Sequence, residues 1–241
     1  MNDIKNIKIV ISPPFSHYIG LPWATRIRGT FTRYPRDGII KNSLKTVRPD
    51  FKNGSWTNKM GLVNKGFPYD NVKKNSIYSV TAFNLDDWYY LLDNIPQDTI
   101  IELNISCPNS NEIFVLGDVI TDFVHKFKSV ILKLPSNSIK ETLDWYEFGV
   151  DFGVKAFHIG NTIKTDKGGL SGREIQKVSL PVIHKIREFD DESIIIGGGG
   201  IYSKEDVRKY KDVGADIISL STVFITKPWN IFEIKREMYV K

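Results

Sequence analysis

Short apolar runs rich in β-branched residues alternate with amphipathic stretches through the last two thirds of the chain. The apolar runs lie at 77–83, 98–106, 129–135, 154–161, 193–197 and 216–222, and the amphipathic stretches lie at 84–94, 117–128, 138–150, 173–189 and 203–213. Such runs are typical of buried strands, and apolar positions recurring every three or four residues are typical of helices. This alternation predicts parallel strands joined by crossover helices.

Two earlier strand candidates, 7–12 (IKIVIS) and 26–32 (RIRGTFT), bring the predicted strands to eight. Eight strands with a helix after most of them favour a closed (β/α)8 TIM barrel, with an open doubly wound sheet as the alternative. The segment SPPFSHYIGLPW leaves little room for a full first helix, and residues 33–66 are typical of turns and short strands. We find no repeat or linker, so we expect one α/β domain over residues 1–241 with a reduced first helix.

Composition and charge narrow the class of protein. The 241 residues are 41% hydrophobic and 25% charged with a net charge of +5, and no block of like charge resembles a nucleic-acid arm. The single cysteine allows no internal disulfide, which suits a reducing compartment. The N-terminus lacks the pattern of a secretion signal, and no apolar run approaches the roughly 18–20 residues that span a bilayer. We expect a soluble cytoplasmic protein that binds neither nucleic acid nor membrane.

Polar residues gather where the predicted strands end, which in a parallel barrel is the face that carries the chemistry. The residues at these ends are Asn104, Ser106, Cys107, Lys133, Asn161, Thr162, Gly197 to Gly200, Ser221 and Thr222. Amides and hydroxyls converging on one mouth suit a ligand that presents amide-like donors and acceptors.

Two of these features indicate an anionic ligand. A glycine run lets the backbone approach a ligand closely and its N–H groups can cradle a phosphate, although four glycines can also simply make a tight turn. Lys133 lies inside the apolar strand VILKLP, and a lysine is rarely buried without an acceptor. An inward-facing Lys133 would indicate a bound cofactor, whereas an outward-facing one would lie among the helices.

Several motifs together resemble one known family. The segments IELNISCPNS, ILKLPS, HIGNTIKTDKGGLSG, IIIGGGGIYSKEDV and ADIISLSTVF, preceded by RGTFTRYPRDG and WTNKMGLVNKG, are similar in order and spacing to the strand-end motifs of dihydroorotate dehydrogenases. The resemblance runs from about residue 26 to the C-terminus. It implies an FMN-containing barrel that oxidises dihydroorotate to orotate in pyrimidine biosynthesis.

The resemblance also implies roles for individual residues. Cys107 matches the base that removes the C5 proton while hydride passes from C6 to flavin N5; without the resemblance, a lone cysteine is more often a small buried apolar residue. The implied pyrimidine-binding residues are Asn58, Asn104, Asn109, Asn161 and Thr162. The implied FMN-binding residues are Lys133, Asn104, Gly169, Gly199, Gly200, Ser221 and Thr222. No metal site is implied.

The chain also departs from the family pattern. The family's substrate- and flavin-contacting lysine is absent after the first strand and at Gly29, and the candidates to replace it are Lys41, Lys45, Arg28 and Arg33. The loop after Cys107 is short, so we expect a wetter lid. The cysteine is typical of class 1 enzymes and GTFT of class 2. We expect no membrane-associating helices of the class 2 type, and these 241 residues hold no cysteine cluster for an iron–sulfur centre.

These features leave the electron acceptor undecided among fumarate, NAD through a partner, quinone or another oxidant. A homodimer and a separate electron-transfer partner stay open as well. The alternatives in function are an FMN-dependent reductase or dehydrogenase of another dihydropyrimidine and a flavin-binding barrel without turnover.

Overall fold

A computed structural model describes residues 2–37, 47–50, 54–59, 62–105 and 113–239. Eight parallel strands close into a barrel, with neighbours in the order β1-β12-β11-β8-β7-β6-β5-β2. The barrel strands are β1 Ile9–Ile11, β2 Thr25–Phe31, β5 Ser76–Val80, β6 Ile100–Asn104, β7 Ser129–Lys133, β8 Ala156–Ile159, β11 Ile194–Gly198 and β12 Ile217–Leu220. Each overlaps one of the eight predicted strands, so the (β/α)8 barrel is confirmed and the open sheet was the wrong alternative.

Helices follow most of the strands, as the amphipathic stretches predicted. They are α1 Asn2–Lys5, α2 Leu85–Asn94, α3 Ile113–Lys126, α4 Ile139–Asp151, α5 Gln176–Arg187, α6 Lys204–Asp212, α7 Val223–Thr226 and α8 Ile231–Tyr239. Ser138 caps α4, since its hydroxyl accepts the Glu141 N–H at 3.2 Å. The pattern missed α1, α7 and α8, the last of which is tied to α6 by the pair Arg208–Glu237 at 2.9 Å.

The first βα unit is reduced, as predicted. Only a 3₁₀ turn, Phe15–His17, stands between β1 and β2 in place of a crossover helix. It follows Pro13 and Pro14, which lack the N–H groups that a longer helix would use. No helix within the described ranges is long and apolar enough to cross a membrane.

A second, antiparallel sheet is built from the excursions after β2 and β8. Its strands run in the order β3-β4-β10-β9, and they are β3 Arg48–Asp50, β4 Ser55–Asn58, β9 Ile163–Thr165 and β10 Gly168–Gly172. The short strands expected within 33–66 are therefore present as β3 and β4. The hairpin of β9 and β10 was missed because its glycine-rich, charged sequence IKTDKGGLSG has no apolar alternation. We call this four-stranded element the roof sheet.

The barrel interior changes from apolar to polar along the strand direction. The apolar layer, at the end where the strands begin, consists of Ile4, Val10, Ile27, Ile77, Ile131, Ala156, Ile194, Ile196 and Ile217. Two positions further along the strands, and therefore on the same face, lies a polar layer of Ser12, Ser79, Glu102, Lys133, His158 and Ser219. Ile4, from α1, belongs to the apolar layer and closes it from below.

Candidate active site

A cleft opens at the carboxyl ends of the barrel strands. It encloses about 480 Å³, counting the part open to solvent. Seven residues singled out from the sequence line it: Lys133, Asn161, Thr162, Gly199, Gly200, Ser221 and Thr222. The fold thus brings together side chains and glycines from four strand ends.

A chain of hydrogen bonds connects the strand-end asparagines to the barrel interior. The Asn161 amide donates to Asn104 Oδ1 at 3.2 Å, and the Asn104 amide donates to Thr30 Oγ1 at 2.9 Å. Thr30 Oγ1 lies 3.1 Å from Ser79 Oγ in the polar layer. Both asparagines are buried, so their amides are held in fixed orientations.

The roof sheet carries Asn58 and Gly169 to the same region. These residues are register partners on β4 and β10, and Asn58 Nδ2 lies 3.4 Å from the Gly169 carbonyl oxygen. A Cβ at Gly169 would lie 3.4 Å from Thr162 Oγ1, which places both roof residues next to the cleft. Neither Asn58 nor Gly169 lines the cleft itself in the way that Thr162 does.

Lys133 is the last residue of β7 and faces the interior, where it lines the cleft. Its register partners are Asn104 on β6 and His158 on β8, so three polar side chains stand side by side. The alternative of an outward-facing lysine among the helices was wrong.

Beneath Lys133 the structure holds a buried contact between a carboxylate and an imidazole that sequence reasoning missed. Glu102 Oε2 lies 2.6 Å from His158 Nδ1, and Glu102 is 0% exposed. Ser79 also bonds to this carboxylate, whereas no described group bonds to its other oxygen, Oε1. His158 reaches upward far enough to line the cleft.

Burial and charge act on the pKa values of this pair in opposite directions. Burial alone raises the pKa of Glu102, but the charges of Lys133 and His158 and the bonds from His158 and Ser79 together bring that pKa down to about 2. Burial lowers the pKa of His158, and Lys133 lowers it further, while Glu102 raises it by charge and hydrogen bonding. The net effect is a lowered pKa, so the pair at neutral pH is a carboxylate and a neutral imidazole.

The glycine run forms a tight turn at the edge of the cleft. Gly197 and Gly198 belong to β11, and only Gly199 and Gly200 lie beyond it, with φ values of +102° and +65°. A Cβ at Gly199 would stand 2.3 Å from a carbon of Ile175, so both conformation and space require glycine there. The carbonyl groups of this turn are held from behind by Tyr210, which donates to Gly198 O at 2.6 Å, and by Gln176, which donates to Gly200 O at 2.8 Å.

Two hydroxyls lie next to this turn, at the end of the neighbouring strand β12. Ser221 Oγ donates to the Pro13 carbonyl at 3.2 Å, and Thr222 Oγ1 lies 3.0 Å from the Tyr202 hydroxyl. Tyr202 in turn donates to the Gly54 carbonyl at 2.7 Å, which ties this corner of the barrel to the roof sheet.

Several predicted residues lie outside the described residues. These are Ser106, Cys107 and Asn109 with the short loop that follows, and the lysine candidates Lys41 and Lys45. Of the arginine candidates, Arg28 donates to Ser76 Oγ at 3.0 Å, at the start of β5 and away from the cleft. Arg33 pairs with Asp87 at 3.3 Å and stacks on Tyr90. Neither arginine is directed at the cleft.

Glu102 and His158 could have been found from the sequence. Each is an ionisable residue inside an apolar strand, IIELN and AFHI, which is the signal that drew attention to Lys133. Glu102 also lies two positions before Asn104, so strand alternation places both on one face. Applying the same rule to all eight strands would have identified all three.

Comparison with known proteins supports one family. The family model described as dihydroorotate dehydrogenase matches residues 150–240, which run from the end of α4 through α8. A dihydroorotate dehydrogenase (quinone) of Pectobacterium atrosepticum is 28% identical, with 82% of this chain and 71% of the relative covered.

Two further relatives are catalytic subunits named dihydroorotate dehydrogenase B (NAD(+)). The one from Oceanobacillus iheyensis is 28% identical and covers 67% of this chain, which spans 61% of that relative. The one from Thermotoga petrophila is 23% identical over 97% of both chains.

Among solved structures, the ligand-free DHODH of Eimeria tenella shares the fold. Its TM-score is 0.75 at 17% identity, with 95% of this chain and 82% of that chain covered. The family model, the curated relatives and the barrel architecture point the same way: the chain is similar in sequence to dihydroorotate dehydrogenases, which are oxidoreductases, and shares their barrel fold.

Proposed function

We propose that this protein oxidises dihydroorotate to orotate in pyrimidine biosynthesis, with FMN as its cofactor. The observation that carries the proposal is the convergence of Lys133, Asn161, Thr162 and the Gly199–Gly200 turn with two hydroxyls on a single cleft. These groups come from segments far apart in sequence, and the cleft lies where barrel enzymes carry their chemistry.

The residues of the cleft fit FMN. Gly199 and Gly200 form a turn of the kind whose N–H groups can hold a phosphate, and Ser221 and Thr222 add hydroxyls at the end of the neighbouring strand. Gly169 borders this region from the roof sheet. Lys133 would stabilise negative charge on the pyrimidine edge of the bound flavin, which supplies the hydride acceptor.

The asparagines fit a dihydropyrimidine. Primary amides donate and accept, so they complement imide N–H and C=O groups in both directions. Asn104 and Asn161 are preoriented by their mutual hydrogen bond and by Thr30. We assign substrate binding to these two together with Asn58, Asn109 and Thr162.

The base in this proposal is Cys107, which follows β6 by three residues. A free thiol has a pKa of about 8.5, so a modest downward shift gives useful thiolate near neutrality. The thiolate takes the C5 proton, and the C6 hydrogen leaves with both electrons of its bond. We further propose that residues 1–241 act as one cytoplasmic domain.

The electron acceptor is not fixed by the relatives. Their names specify quinone, NAD(+) or fumarate, and those of the NAD(+) type are called catalytic subunits. Experiments on partners should therefore look both for an electron-transfer subunit and for a homodimer.

Anaerobic mixing of the purified flavoprotein with dihydroorotate tests the proposal, with the flavin absorbance as readout. We expect bleaching, and a fall in its rate of about 10²-fold or more in Cys107→Ala because a general base is removed. Cys107→Ser is the matched control, which should retain some activity at high pH. Two results would overturn the proposal: the protein does not take up FMN, or its bound flavin stays oxidised after dihydroorotate is added.

The second candidate is oxidation or reduction of another dihydropyrimidine. It is favoured by one observation, that Arg28 and Arg33, the described candidates to replace the family lysine, are engaged away from the cleft. A panel of dihydropyrimidines with and without the carboxylate distinguishes the two candidates. Flavin that binds but is reduced by none of them would instead indicate a flavin-binding barrel.

A further inference from the structure

The polar layer contains two ionisable residues that none of the roles above uses. Glu102 on β6 and His158 on β8 face inward on either side of Lys133 on β7. Glu102 and His158 are 0% and 1% exposed, so this carboxylate and imidazole were taken out of water at a considerable cost. A second observation indicates a ligand above the pair: His158 lines the cleft beside Lys133.

Glu102 fixes how the imidazole is presented to the cleft. Its carboxylate Oε2 lies 2.6 Å from His158 Nδ1, so in the neutral ring Nδ1 carries the hydrogen and donates it. The remaining ring nitrogen, Nε2, then holds a lone pair. The floor of the cleft thus offers a cationic donor, Lys133, beside a neutral acceptor that can become a donor by binding a proton.

The charges around His158 are few. Among the described residues, those that act on it are Glu102 from β6 and Lys133 from β7. The inward positions of β11, β12 and β1 are uncharged: Ile196, Gly198, Ser219 and Ser12. An additional negative charge in the cleft would therefore act strongly on this ring, because the ring itself is almost completely removed from water and Lys133 is the one cation among the described residues that acts on it.

We propose that His158 contacts the bound FMN and binds one proton when the flavin is reduced. This inference rests on the FMN cofactor of the proposed function. A flavin held in this cleft would gain two electrons and one hydrogen on reduction, and with them an additional negative charge. His158 Nε2 would then bind one proton from solvent, so that an imidazolium paired with the Glu102 carboxylate would balance that charge, and no other group would be oxidised or reduced.

The pH dependence of the flavin midpoint potential tests this coupling. Each proton bound in a two-electron reduction contributes about 30 mV per pH unit, so uptake of two protons gives about 60 mV and of one about 30 mV. We expect the steeper slope in the parent protein between about pH 6 and 8 and the shallower slope in His158→Asn. An equal slope in both proteins would overturn the proposal.

Asparagine is chosen at position 158 because it distinguishes a role of His158 in proton binding from a purely structural role. Its amide can occupy the place of Nδ1 and still donate to Glu102, but it has no atom in the place of Nε2. Glu102→Gln is the companion variant: it removes the charge that raises the proton affinity of His158, so the steep part of the slope should shift to lower pH. We also expect His158→Asn to weaken FMN binding about 2- to 10-fold, the size of one hydrogen bond.

A measurement on the parent protein tests the same proposal even if a variant does not fold. The chain has four histidines, and nitrogen-15 NMR of labelled histidine distinguishes imidazole from imidazolium. One ring should change to imidazolium on flavin reduction, and no change in any ring would reject the proposal. Both experiments reduce the flavin chemically, so they succeed or fail independently of dihydroorotate oxidation.

Discussion

The apolar and polar layers of the barrel interior are lined by residues only two positions apart on the same strands, yet they are opposite in character. On β7 the step runs from Ile131 to Lys133, and on β8 from Ala156 to His158. The strand period of two keeps both residues of a pair on the inner face. The apolar layer therefore serves stability and the polar layer faces the cleft, and about 7 Å of strand along the barrel axis lies between them.

The energetic demands on the two layers also differ. The apolar layer needs only close packing, which its branched side chains supply. The polar layer needs every charge to have a partner, because an uncompensated buried charge is costly. Substitutions at matched positions on one strand therefore test whether the two layers differ in their effects on stability and on ligand binding.

The largest effect is expected in the apolar layer. Ile131→Ala should lower the free energy of unfolding by about 2–5 kcal/mol, since Ile131 is 0% exposed and a cavity would remain. Urea unfolding measures this, with Ile131→Val as the control at about 0.5–1.5 kcal/mol. FMN affinity of the folded fraction should stay unchanged. A loss of FMN affinity as large as the loss of stability would show that the layers are not separate.

Lys133→Met, two residues further along β7, should show the reverse. The change keeps the length of the side chain but removes its charge, so FMN affinity should fall by about 1.5–3 kcal/mol, as expected for a hydrogen bond to a charged group. Quenching of FMN fluorescence on binding measures the affinity. A parent-like affinity would mean that Lys133 compensates Glu102 and does not hold the cofactor.

The polar layer should make stability depend on pH in two steps. Folding lowers the pKa of His158 below 6.5, so the unfolded chain binds that proton first and stability is full above about pH 6.5 and falls below it. Folding lowers the pKa of Glu102 from 4.5 to about 2, so its contribution is full above pH 4.5 and is lost as the pH falls toward 2.

Urea midpoints measured across this range test the two steps. His17 also has a lowered pKa, because of burial, and contributes in the upper window. The difference between the parent and His158→Asn isolates the upper step, and the difference between the parent and Glu102→Gln isolates the lower one. Parallel curves for parent and variant would remove that residue from the pH response.

The smallest effect is expected at the hydroxyl pair of the polar layer. Ser12 Oγ and Ser219 Oγ lie 2.6 Å apart and both residues are buried. Ser219→Ala should cost about 0.5–1.5 kcal/mol of stability, and adding Ser12→Ala should cost less than the sum, because the second change removes a group already unpartnered. Strict additivity in this double-mutant cycle would show that the bond contributes nothing.

Sequence patterns predicted the barrel well because its signals are local. Most barrel strands are short apolar runs, and Ser138 caps α4 as its position suggested. The roof sheet could not be predicted in the same way, because β9 and β10 have no alternation and their partners β3 and β4 lie far away in sequence. The Glu102–His158 contact joins residues 56 positions apart, so it became visible only once β6, β7 and β8 were placed side by side.

The roof sheet has a consequence for the order in which the chain is completed during synthesis. Asn58 and Gly169 are 111 residues apart, so β4 has no β10 to pair with until most of the barrel strands have left the ribosome. Until then the edge of β4 that faces β10 presents unpaired backbone groups, which in a free chain are a template for association with other chains. Pairing of β4 with β10 is also slow, because it brings together residues far apart in sequence at a cost in chain entropy. We therefore expect fragments that end before residue 163 to aggregate through this edge, a liability that the intact chain removes when its own β10 covers it.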